Sequence, residues 1–97
     1  MSKRDQLDQW KKELEERDTN LTEKKEEIEK KIEILTVRKN FLDSKLKSQN
    51  IQSSSPTIQY LVSNFYNPIV EELNELDAEK DILEQDLRSI DFIIRQL

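Results

Sequence analysis

Glycine, cysteine and histidine are all missing from this 97-residue chain, and proline occurs only twice. Without cysteine there is neither a disulfide framework nor a thiolate metal site, and without histidine the usual general base and metal ligand is gone. No run approaches the roughly 18 to 20 uninterrupted apolar residues that a membrane span needs, and the N-terminus lacks the apolar core of a signal peptide. These absences weigh against an enzyme, a cofactor or metal protein and an inserted membrane protein, and they predict a soluble chain. Apolar residues make up 34% of the sequence and charged residues 38%. That balance excludes one compact globular core and leaves disorder or long helices, so the order of the apolar residues must decide.

The order is heptad. Leu7, Leu14, Leu21, Ile28, Leu35 and Leu42 recur at every seventh residue with no helix breaker among them. A strict repeat of seven keeps one face of a slightly under-wound helix and marks a coiled-coil seam. The spacing predicts one helix over 3–48, which at about 1.5 Å per residue would run on the order of 70 Å. Acid-before-base pairs four apart, Asp8/Lys12, Glu13/Arg17, Glu26/Lys30 and Glu27/Lys31, would support it by a few tenths of a kcal/mol each. With the leucine series at heptad position d, position a holds Arg4, Lys11, Asp18, Lys25, Ile32, Lys39 and Leu46. Mostly charged a positions make a poor symmetric dimer and favour a partner that offers complementary charges. A second stripe, Ile34, Val37 and Phe41, lies off this seam, so the segment from Ile28 to Leu46 is expected among three or more helices.

The polar run from Ser48 to Pro56 predicts a hinge, with Ser55 and Pro56 suited to the cap and first position of a new helix. Ile58, Leu61, Val62 and Phe65 follow at helical spacing, and Asn67-Pro68 either kinks the helix or opens another with Asn67 as cap, the capped start being the expectation. Beyond it Ile69, Leu76, Leu83, Ile90 and Leu97 repeat at seven, interleaved with Leu73, Leu87 and Ile94, and Lys80 is the sole polar residue in this second seam. Ile82, Phe92 and Ile93 fall outside it, so the last turns are apolar nearly all round. Leu97 falls in mid-pattern with no glycine cap, which predicts further chain downstream.

Charge divides unevenly: 13 basic and 12 acidic residues lie up to Gln49, against 3 basic and 9 acidic after it. An acidic second half argues against nucleic acid, which needs clustered lysine and arginine. The densest carboxylates, Glu71, Glu72, Glu75, Asp77 and Glu79, lack histidine and the glycine of a calcium-binding loop, and a solvated acidic face explains them better than acid–base or metal chemistry. Lys24-Lys25 and Lys30-Lys31 are neutralised by the glutamates between them. Trp10, three residues after Leu7, reads as packing at the edge of the seam rather than a ligand platform.

In order and in several runs the chain resembles the C-terminal half of the family of the tumour susceptibility protein, the ubiquitin-reading subunit of ESCRT-I. The runs Leu14-Glu15-Glu16 and Glu29-Lys30-Lys31-Ile32-Glu33-Ile34-Leu35 are similar to that family's stalk. Pro68-Ile69 and Leu76-Asp77-Ala78-Glu79-Lys80-Asp81-Ile82-Leu83-Glu84 are similar to the start of its headpiece. The resemblance covers most of the chain from around Leu14, and 58–66, richer in aromatics, departs from it. It implies a stalk helix that bundles with other ESCRT-I subunits, a truncated headpiece, a ubiquitin-reading domain before Met1, and a cytoplasmic location peripheral at endosomes. The role it implies is scaffolding for multivesicular-body sorting of ubiquitinated cargo.

The sequence therefore predicts an all-α fold: a coiled-coil stalk helix over 3–48, a hinge or linker with a short helical piece over 49–67, and a second coiled-coil helix over 68–97, assembled into an oligomeric helical bundle. The expected interface is Leu7, Leu14, Leu21, Ile28, Ile32, Leu35, Leu42 and Leu46 on the first segment and Ile69, Leu73, Leu76, Leu83, Leu87, Ile90, Ile94 and Leu97 on the second. No catalytic, cofactor or metal residue is expected, and the isolated chain should form homo-oligomers. The alternative from another class is a self-assembling structural rod or tether whose hinge folds the second helix back on the first.

Overall fold

A computed structural model describes residues 2–48 and 55–97. The fold is all-α, and the described residues contain no strand: α1 spans Lys3–Ser48, α2 Pro56–Leu61 and α3 Asn67–Gln96, with a π-helical turn over Val62–Tyr66 between the last two. The hinge residues 49–54 lie outside the described residues. Among the described residues no helix is long and apolar enough to cross a membrane.

Local chemistry accounts for the helix boundaries. Ser2 caps α1: its hydroxyl oxygen accepts the Asp5 amide at 3.2 Å and its carbonyl accepts the Gln6 amide at 3.3 Å. The cap satisfies donors that the first turn leaves unpaired, and Asp5 adds a negative charge where the helix dipole favours one. Ser55 is extended at φ −63°, ψ 127°, with Pro56 opening α2, as the Ser-Pro dipeptide predicts. Its side chain makes no capping bond; its carbonyl accepts the Gln59 amide at 3.0 Å instead.

The capped restart expected at Asn67 is corrected by the structure. Asn67 is helical, at φ −60° and ψ −43°, and its amide reaches back five residues to the Val62 carbonyl. The chain thus passes from Pro56 to Gln96 without leaving helical conformation. Proline inside a regular α-helix drives its ring against the carbonyl four residues earlier, here that of Asn64, and removes one hydrogen bond. The wider π turn that ends two residues before Pro68 absorbs the misfit. Beside it the Asn64 side-chain amide donates to the Tyr60 carbonyl at 2.9 Å.

Two compact units divide the chain, one formed by residues 1–29 with 79–97 and the other by 30–78. In the first, the early part of α1 and the late part of α3 run antiparallel. Lys25 Nζ lies 3.5 Å from Glu84 Oε1, and Glu29 Oε1 lies 3.8 Å from Lys80 Nζ, so four residues forward on one segment are four back on the other. Leu14 and Ile28 on one side, with Leu83 and Ile90 on the other, are its buried residues. In the second unit the late part of α1 pairs with α2, the π turn and the beginning of α3, and Leu35 and Leu76 are buried.

Most of the apolar repeat of each segment is thus covered inside its own unit. Replacing Leu83 by Ala should cost about 2 kcal/mol or more in a urea titration followed by helicity, whereas its neighbour Ile82, 62% exposed, should tolerate alanine to within about 0.5 kcal/mol.

Candidate partner-binding interface

The sixteen interface residues expected from the sequence fall into three groups. Leu14, Ile28, Leu35, Leu76, Leu83 and Ile90 are buried. Leu21, Ile32, Leu42, Leu46, Ile69, Leu73, Leu87 and Ile94 are half-buried beside them. Leu7 and Leu97 are exposed. The chain itself covers most of this set. Trp10, expected at the edge of the seam, is 42% exposed.

The same pairing answers the charges in the seam. Lys25, at position a, is half-buried and meets Glu84 of the return segment; Lys80, the sole polar residue of the second seam, meets Glu29. Lys25 also approaches Glu29 at 3.9 Å, and Glu84 approaches Arg88 at 3.9 Å. Five side chains of alternating sign therefore follow the seam. Their separations mark ion pairs rather than short hydrogen bonds, and each contributes a fraction of a kcal/mol. None of the four acid-before-base pairs expected on α1 closes to an ion pair among the described residues. Pairs that do close four apart include Lys39/Asp43 and Asp91/Arg95. So small a gain does not fix two long side chains in one geometry.

A second polar group lies in the other unit. Lys39 Nζ donates to Asp43 Oδ2 at 3.0 Å, lies 5.8 Å from the Tyr66 ring centre, and Tyr66 also hydrogen-bonds Asp43. The Tyr66 bond, then that of Lys39, holds the Asp43 carboxyl below its ordinary range. The Asp43 hydrogen bond and charge hold the Lys39 ammonium above its ordinary value of 10.5. Both side chains are about one-third exposed, so solvent screens the attraction. The group ties α1 to the π turn. Lys39/Asp43 spacing was readable in the sequence, but nothing local signals that Tyr66 would join them.

What remains uncovered is apolar. In the second unit Val37, Arg38, Phe41 and Leu42 from α1, with Leu61, Phe65 and Ile69 from the returning helices, line an open groove of about 550 Å³. Val37, Phe41 and Phe65 are 64%, 60% and 57% exposed. A shallower depression beside it is lined by Lys31, Ile34, Leu35, Arg38 and Glu72. The stripe Ile34, Val37 and Phe41 was legible as a second apolar face. Its continuation by Leu61 and Phe65 requires the return of the chain. Contiguous exposed apolar surface is uncommon on a small chain.

Outside the groove Trp10, Tyr60, Ile82 and Phe92 are exposed as well. Glu71, Glu72, Glu75, Asp77 and Glu79 are exposed, and among the described residues no group of three carboxylates is placed to hold a metal ion. No protein-family model matches the chain, and comparisons with curated proteins and with solved structures likewise return no match.

Two outcomes follow from these charges. Reversing Lys25 to Glu or Glu84 to Lys should each lower the urea midpoint, and combining them should recover a coupling of about 0.2–1 kcal/mol in a double-mutant cycle. Asp43 contributes stability above the ordinary carboxylate range and loses it as pH falls through its lowered pKa. Lys39 contributes below 10.5 and loses it as pH rises through its raised pKa. The difference in urea midpoint between wild type and Asp43→Asn should therefore be largest near neutral pH and vanish in strong acid.

Proposed function

We propose that this chain is a coiled-coil assembly segment that works by presenting a helical surface to partner proteins, with no bond made or broken. The observation that carries the reading is the apolar groove on the second unit, left open although most of the chain's own seams is covered. The fuller form of the proposal is a scaffold segment of ESCRT-I at endosomes. It rests on the resemblance of 29–35 to the stalk and of 76–84 to the headpiece start of the tumour susceptibility family. In that form the partners are other ESCRT-I subunits, joined by helix bundling, and the segment itself is neither an enzyme nor a ubiquitin reader.

A second reading, a self-assembling structural coil or tether, draws support from the return of the chain. Its seams pair within each unit, and the complementary charges that Lys25 and Lys80 require are supplied by Glu84 and Glu29 of the same chain. Affinity capture of the tagged chain from extracts of its own cells, with the captured proteins identified by mass spectrometry, separates the two. Recovery of ESCRT-I subunits, lost when Phe41 and Phe65 are both changed to Ser, is the expected result. Recovery of the chain alone would overturn the sorting-complex assignment in favour of the self-assembling coil.

A further inference from the structure

The α1 side of the apolar groove in the second unit is basic, whereas the returning side is uncharged from 55 to 70 and acidic only beyond, from Glu71. The α1 portion from Lys30 to Ser48 carries six cations and two anions, while residues 55–78 carry four anions and no cation. Lys31, Arg38 and Lys45 recur at every seventh residue along the basic border. Arg38 lines both depressions, Lys31 lines the shallower one, and Lys45 Nζ lies 5.6 Å from the Phe41 ring centre. On the opposite border Glu72, seven residues after Phe65, stands at the level of Lys31 and Arg38.

We propose that this groove binds the same groove of a second copy of the chain, forming a two-fold dimer through the described residues of the second unit. Symmetry and charge together select the arrangement. A two-fold axis perpendicular to the helices and lying in the interface would set α1 on α1, basic border against basic border. An axis parallel to the helices sets α1 of each copy on the returning helices of the other and brings Arg38 to Glu72 of the partner twice. Phe41 and Phe65 then fill the centre of the contact and exchange water for one another, as the anchors of an interface do. The uneven charge along the chain, near neutral overall in its first half and acidic in its second, acquires a purpose: it specifies which helix meets which. This dimer rests on the assembly reading and names a second copy as the occupant of the groove, in competition with the ESCRT-I form: recovery of ESCRT-I subunits with a monomeric wild-type chain would sink the dimer alone.

Sedimentation of the full chain over a range of micromolar concentrations tests it, with helicity measured alongside. Wild type should dimerise, and more weakly as salt rises. Arg38→Glu and Glu72→Lys should each weaken self-association by roughly tenfold or more, since each places two like-charge contacts in the homodimer. An equimolar mixture of the two variants should dimerise again, because both contacts in the mixed pair are then between opposite charges. Phe41→Ser, at a position 60% exposed in the single chain, should abolish association with helicity retained. A wild-type chain monomeric at every concentration would assign the groove to a protein of different sequence and overturn the proposal. So would a dimer equally strong in the separate variants and their mixture, which would place association elsewhere on the chain.

Discussion

Burial of two heptad series against each other is the constraint on which the rest of this structure depends. A helix with an apolar stripe gains little from standing alone, because most helical stability in water comes from packing one face. Here the return of the chain supplies that packing. The layers that count are few: Leu14, Ile28, Leu83 and Ile90 in one unit, Leu35 and Leu76 in the other. No polar side-chain atom is left buried without a partner among the described residues. The polar residues at the seam are long side chains whose stems cover apolar surface while their charged heads reach the edge.

Charge then does what the uniform leucines cannot. One apolar layer resembles the next, so sliding by a heptad would cost little in burial alone. Lys25 opposite Glu84 and Glu29 opposite Lys80 distinguish one register from the others, each worth little in stability but repulsive or unmatched if displaced. In the second unit Lys39, Asp43 and Tyr66 play the corresponding part and anchor the π turn. That turn rotates the residues before Pro68 relative to α3, and with this rotation Leu61 and Phe65 share a groove with Val37 and Phe41. The proline that would break an ordinary helix is thereby linked, through the accommodation it forces, to the surface offered to other molecules.

Exposed apolar side chains are thus the unspent part of the sequence. A pair of helices can hide one stripe of each, and α1 between Ile28 and Leu46 carries two. Part of what is left over, Val37, Phe41 and Phe65, lies in one groove. Its open lining is apolar apart from Arg38.

The sequence by itself determined the elements: all helix, α1 from Lys3 to Ser48, a helix opening at Pro56, and the heptad positions that would need cover. Those features follow from local rules, the period of the apolar residues, the absence of glycine, and the short-range chemistry of serine before proline. Tertiary structure alone decided what provides the cover. A stripe of leucines is the same whether it meets another chain or its own return, and charged a positions call for complementary charges without saying where they reside. The π turn at Val62–Tyr66 was hidden for a related reason: Asn-Pro is equally suited to starting a helix and to being carried within one, and the outcome depends on packing against residues more than twenty positions away in the chain, at Lys39 and Asp43.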